Sequence, residues 1–134
     1  MRSLAIDDEF VALSKMVAML KPYGECDAAL DSQQALELFC RALEDSRPYG
    51  LVMIDINLPD INGITLLGRL QEEERRRSAP RATKVMVTAD GTLSNVLAAV
   101  TGECDGFLVK PVRREVLCEK LVALGLLRAG AEKR

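Results

Sequence analysis

The chain has 134 residues, 49% of them hydrophobic and 28% charged, which suits one compact domain and is too short for two ordinary ones. Its 18 basic and 20 acidic residues leave a net charge of -2, so it lacks the concentrated positive field of a nucleic-acid backbone reader. Histidine is absent, which excludes a Ser-His or Cys-His nucleophile.

Cys26, Cys40, Cys104 and Cys118 form no C-x-x-C pair, so zinc would need four scattered thiolates. They read as reduced thiols acting as small hydrophobes. No apolar run approaches the ~20 residues of a membrane span, and Met1-Arg2-Ser3 enters a strand-like run directly. The expectation is a soluble cytoplasmic protein.

In chain order, residues 3–6 read as a first strand. A helical stripe of Phe10, Leu13, Val17 and Leu20 follows, closed by Pro22. A weak strand at 26–30 leads to a second stripe, Ala35, Leu36, Phe39 and Leu43, with Asp31 or Ser32 as its cap. Residues 51–54 form a continuous apolar strand. A third helix carries Ile64, Leu67 and Leu70 and dissolves into "EEERRR", residues 72–77, read as a solvated end with Glu72–Arg76 and Glu73–Arg77 as i,i+4 pairs. A strand at 84–87, a short fourth helix at about 93–101 and a strand at 106–109 come next. A last helix runs from 113 to about 127 with Leu117, Leu121 and Leu124 inward.

Five strand–helix alternations without repeats or linkers imply an α/β, doubly wound, five-stranded parallel sheet with helices on both faces. Ligands of such sheets bind beyond the carboxyl ends of the strands. There the sequence places Asp7, Asp8 and Glu9 after the first strand, Asp55 after the third, Thr88 after the fourth and Lys110 after the fifth. Taken singly, each aspartate reads as a cap or turn former. Jointly, Asp7, Asp8 and Asp55 crowd like charges that raise one another's pKa unless they are neutralised. Lys110 supplies one positive charge, and the remainder calls for a hard divalent cation with oxygen ligands, Mg²⁺ being the natural choice. A carboxylate held in this way can attack phosphorus to give an aspartyl phosphate, with cation, lysine and hydroxyl sharing the phosphoryl oxygens.

These residues resemble the receiver domain of two-component response regulators. The motifs are "IDDE" (6–9), "MIDINLPDINGI" (53–64), "VTAD" (87–90) and "GFLVKPV" (106–112). The resemblance implies a flavodoxin-like strand order 2-1-3-4-5, a receiver domain over residues 1–129 and a short tail at 130–134. It implies Asp55 as phosphoacceptor, Asp8 as direct magnesium ligand with Asp7 acting through water, and the Asn57 backbone carbonyl as third protein ligand. Thr88 is implied as the switching hydroxyl, Lys110 as the phosphoryl-pairing lysine, and Phe107 as an aromatic switch with a plain core role as its alternative. A cis Lys110–Pro111 bond is expected, as is a positive φ at Gly63. "RRRSAPRATK" is longer and more basic than is usual before the fourth strand.

The expected activity is that of a single-domain regulator rather than an enzyme. A histidine kinase or phosphotransfer protein phosphorylates Asp55, and the signal passes to a downstream protein. Nucleic acid and membrane are not expected partners, and the chain is expected as monomer or weak homodimer. Asn57 and Asp90 are expected to set the lifetime of the phosphorylated state. A haloacid dehalogenase-type phosphohydrolase would need an acid two residues after its nucleophile, where this chain has Asn57. A nucleotide or flavin module would need a glycine-rich turn, which is missing. A receiver-like protein that is never phosphorylated is the third alternative.

Overall fold

A computed structural model describes residues 1–92 and 104–129. Five strands, β1 (Ser3–Ile6), β2 (Cys26–Ala29), β3 (Leu51–Asp55), β4 (Thr83–Thr88) and β5 (Gly106–Val109), form one parallel sheet ordered β2-β1-β3-β4-β5. The described helices are α1 (Phe10–Leu20), α2 (Ser32–Glu44), α3 (Gly63–Arg76) and α4 (Arg114–Ala123). A short 3-10 turn, Lys21–Tyr23, closes α1 at Pro22. The helix expected at about 93–101 lies outside the described residues.

The continuous apolar strands make sense once their side chains are sorted by parity. Leu4, Ile6, Val52, Ile54 and Met86 point to one face, against Ala35 and Phe39 of α2 and Leu66, Leu67 and Leu70 of α3. Ala5, Leu51, Met53, Val85, Val87 and Leu108 point to the other, against Leu13, Met16 and Leu20 of α1 and Leu117 and Leu121 of α4. A strand covered on both faces has no solvent side on which to alternate polar residues. The central strands β1, β3 and β4 are accordingly almost wholly buried.

Several helix details depart from the sequence expectation. Phe10 is 71% exposed rather than inward, because α1 begins at that residue and turns its first position away from the sheet; Met16 fills the stripe instead. Of the two expected caps of α2, Asp31 is the one used, accepting the Gln34 amide at 2.8 Å. The last helix stops at Ala123. Gly125 adopts φ +79°, the Leu126 amide bonds the Leu121 carbonyl at 2.9 Å, and the Gly125 amide bonds Val122 at 3.0 Å, a glycine stop that releases Leu124 and Leu126 to pack beyond the helix.

"EEERRR" is not a fraying end. The helix continues to Arg76 and buries Glu74, whose carboxylate meets the fully buried Lys84 ammonium at 2.6 Å and the Ala82 amide at 2.7 Å. Lys84 Nζ also donates to the Ala82 carbonyl at 2.9 Å. Glu73 pairs with Arg77 as expected, at 3.2 Å, but Glu72 takes Arg75 at i+3 instead of Arg76, which turns to Glu73. Arg81 of the basic connection pairs with Asp105, which also receives the Lys84 amide. Among the described residues no helix is long and apolar enough to cross a membrane.

Candidate functional site

The site is assembled by register. Ile6 of β1 lies opposite Ile54 of β3, and Asp55 lies opposite Val87 of β4, so Asp7 and Asp55 leave adjacent strands at the same level. Thr88 pairs with Val109, which puts Lys110 one step beyond. The Lys110 amide donates to the Thr88 carbonyl at 2.7 Å, and the Lys110–Pro111 peptide is cis. Carboxylate oxygens of Asp7, Asp8 and Asp55 all lie within 4.8 Å of one another, Asp7 and Asp55 buried and Asp8 exposed. Asp7, Asp8, Asp55, Thr88 and Lys110, which the sequence puts at strand ends, thus meet at one rim.

Lys110 Nζ lies 2.8 Å from Asp7 Oδ2 and 3.4 Å from Asp55 Oδ2. Asp7 Oδ1 accepts the Glu9 amide at 2.9 Å, and Asp55 Oδ1 accepts the Asn57 amide at 3.2 Å. These bonds fix both carboxylates but do not balance them. Burial first, and then the Asp7 charge, push the Asp55 carboxyl up to about 6 against the opposing pull of Lys110. The lysine is raised as well: burial works against its charge, but the Asp7 hydrogen bond and the Asp55 charge outweigh it. Three clustered carboxylates facing one ammonium are a donor set suited to a hard cation.

Thr88 is buried, and its hydroxyl is engaged locally. It accepts the Asp90 amide at 3.1 Å and donates to the Asp90 carbonyl at 3.3 Å. Phe107 is half-buried and packs on the core beneath α2 and α3, on the sheet face opposite Leu108. Asn57 is exposed and forms an antiparallel bridge with Asn62 across the loop that follows Asp55.

Gly63 corrects one expectation: its φ is not positive. It opens α3, where a Cβ would stand 2.3 Å from the Asp55 carbonyl and 2.8 Å from Ile56 Cα, and its amide bonds the Ile56 carbonyl at 2.7 Å. Glycine is required there for close approach.

The sequence reading missed Asp60, which receives the Ser32 amide, the Ser32 hydroxyl and the Gln33 amide. The available signal was an acid at the tip of a turn whose neighbours Leu58 and Ile61 are apolar. A cleft of about 380 Å³ opens from Asp7 and Lys110 along Val11, Met16, Met19 and Val112.

Known proteins share the fold and part of the sequence. The structure of chemotaxis protein CheY4 from Vibrio cholerae matches with a TM-score of 0.73 over 92% of this chain and 97% of that one, at 21% identity, a likeness of fold. Chemotaxis protein CheY1 of Helicobacter pylori is 27% identical over 126 residues, covering 93% of this chain and 98% of its own length. Hybrid signal transduction histidine kinase L of Dictyostelium discoideum is 28% identical over 123 residues, 91% of this chain but only 7% of that protein. Residues 4–122 match the family described as the response regulator receiver domain, and the chain belongs to that family.

Proposed function

We propose that the protein receives a phosphoryl group on Asp55 from the phosphohistidine of a kinase or phosphotransfer protein and passes the signal on by a change of shape. A signalling role follows from family membership; the chemistry is read from the rim. The observation that carries it is a buried carboxylate at a strand end, flanked by two further acids and one lysine.

An Asp55 oxygen attacks phosphorus, the P–N bond to the donor imidazole breaks, and its electron pair stays on the ring nitrogen. Lys110 turns from the carboxylates toward the phosphoryl oxygens, and Thr88 leaves the Asp90 peptide to donate to another. Asp7, Asp8, Asp55 and the Asn57 carbonyl would hold Mg²⁺, whose charge offsets that of the phosphoryl oxygens when it is bound. The donor gains access over the cleft beside α1, and the apolar lining next to Asp7 and Lys110 supports that route. Water later attacks phosphorus, breaks the P–O bond to Asp55 and releases inorganic phosphate.

Phe107 sits on β5 between Thr88's strand and the domain surface. Movement of Thr88 toward the phosphoryl group frees space for the ring and alters the surface around β5 and α4 that a downstream protein reads. We place this exchange in the cytoplasm, with protein partners only.

The test is incubation with acetyl phosphate and Mg²⁺, read by intact mass. One labile phosphoryl adduct is expected, prevented by EDTA and abolished in Asp55→Asn. A stable adduct elsewhere, or none from any donor, overturns the reading.

A further inference from the structure

The loop between β3 and α3 carries a tether that the proposed chemistry does not use. Its base is tight: the Asn57 amide bonds Asp55 Oδ1, Asn57 and Asn62 bridge across the loop, and the Gly63 amide bonds the Ile56 carbonyl. Its tip reaches to a different element. Asp60 Oδ1 accepts the Ser32 amide at 3.2 Å and the Ile61 amide at 3.0 Å, while Oδ2 accepts the Ser32 hydroxyl and the Gln33 amide at 3.3 Å. Asp31 already accepts the third leading amide of α2, from Gln34. Two aspartates therefore divide the start of that helix, one local and one 28 residues away in sequence.

We infer that Asp60 is a positioning residue: by tying the loop to α2 it holds the Asn57 carbonyl where the cation needs it, and so sets metal affinity without touching the metal. This rests on the proposed metal site. Asn57 is exposed, so packing does little to fix it. The bonds at the base close the loop but leave its tip to be ordered when a cation binds the carbonyl, and that ordering cost subtracts from affinity. The tether removes it beforehand. Because Ser32 is buried at the other end, the anchor itself is firm.

The experiment titrates Mn²⁺ into the whole chain and follows the free ion by electron paramagnetic resonance, with melting temperature recorded for each variant. Wild type should bind one ion, and Asp8→Asn should abolish binding. Asp60→Ala is expected to weaken affinity by about tenfold, the low end of what outer-shell supports of metal sites contribute. Asp60→Asn and Ser32→Ala should fall between it and wild type. Tyr49→Phe removes a hydrogen bond to Asp27 at the opposite rim; it should lower the melting temperature and leave affinity unchanged.

Asp60→Ala binding Mn²⁺ within about twofold of wild type overturns the inference, whatever its melting temperature. If that variant does not fold, unchanged affinity in both Asp60→Asn and Ser32→Ala overturns it equally. A wild type that binds no Mn²⁺, or whose binding survives Asp8→Asn, removes the metal reading itself and this inference with it.

Discussion

Lys110 and Asp7 form the tighter of two ion pairs at the strand ends, 2.8 Å from Nζ to Oδ2 against 3.4 Å from the same ammonium to Asp55. The lysine therefore rests on the neighbouring acid and leaves the proposed acceptor oxygen only partly covered. A shared cation of this kind can move to a new anion by a small rotation, exchanging one partner for another. On the proposed chemistry it would act as a preorganised donor aimed at charge that develops during transfer.

Removing that donor gives the first prediction. Lys110→Ala should slow phosphorylation by acetyl phosphate by about 10²–10³-fold, the usual loss for one preorganised donor. The check is a time course of the phosphoryl adduct by intact mass. A variant labelled within about tenfold of wild type contradicts this role.

The second prediction concerns pH. Asp55 is raised in the fold to about 6, while an unfolded aspartate titrates near 3.9. A carboxyl whose folded pKa lies above its unfolded value favours the fold when protonated. Its contribution is full below the unfolded pKa and is lost as pH rises through about 6. The metal-free protein should thus lose on the order of 2 kcal/mol from this residue between about pH 4 and 7. Asp55→Asn should erase that loss and melt several degrees higher than wild type at pH 8 in EDTA. Calorimetry across pH reads it directly, and equal melting temperatures at pH 8 would count against the crowding argument. Saturating Mg²⁺ should restore the wild type at the same pH.

Much of this architecture was legible in the chain because its signals are local. Strands buried on both faces read as unbroken apolar runs, and the polar residue that ends each run marks the rim; Asp7, Asp55, Thr88 and Lys110 all follow from that rule. What escaped depends on distance. Glu74 looks like one more charge in "EEERRR" until α3 is laid beside β4, where it alone faces the buried Lys84. Asp60 looks like a turn residue until α2 arrives at it. In the sequence Gly63 suggests dihedral freedom, but the reason for glycine is the Asp55 carbonyl across the loop. Phe10 follows the helical stripe by spacing alone, and spacing does not say where the helix starts.

The Glu74–Lys84 pair makes the third prediction. Burial lowers the Lys84 pKa, and Glu74 opposes that by stabilising the ammonium. Lys84→Met leaves the carboxylate buried without its cation and should cost about 3–5 kcal/mol in denaturant unfolding. Lys84→Met combined with Glu74→Leu removes both charges and should recover most of the loss. A single variant as stable as wild type would show that the pair contributes nothing.

The fourth prediction is kinetic. Asn57 and Asp90 flank the site and are both exposed, but Asp90 Oδ1 already accepts the Thr92 amide and hydroxyl, at 3.0 and 2.7 Å. Asn57 should therefore do more to orient the attacking water. Asn57→Leu is expected to lengthen the phosphoryl half-life several-fold, Asp90→Leu to do so less, and the double variant most. Decay of the adduct after donor removal measures all three; unchanged decay in the double variant rules the role out.

The last prediction joins Thr88 to Phe107. The Thr88 hydroxyl bonds both the Asp90 amide and the Asp90 carbonyl, so leaving them carries a cost, which on the proposed chemistry a phosphoryl oxygen offsets. Thr88→Ala has no hydroxyl to move. It should still accept a phosphoryl group, but the ring resonances of Phe107 should no longer respond to acetyl phosphate and Mg²⁺ in NMR spectra, whereas in wild type they shift. Thr88→Ser keeps the hydroxyl and should restore the response. If the Phe107 signals shift equally in Thr88→Ala and wild type, the ring responds to the added charge by some other route and the hydroxyl is not its trigger.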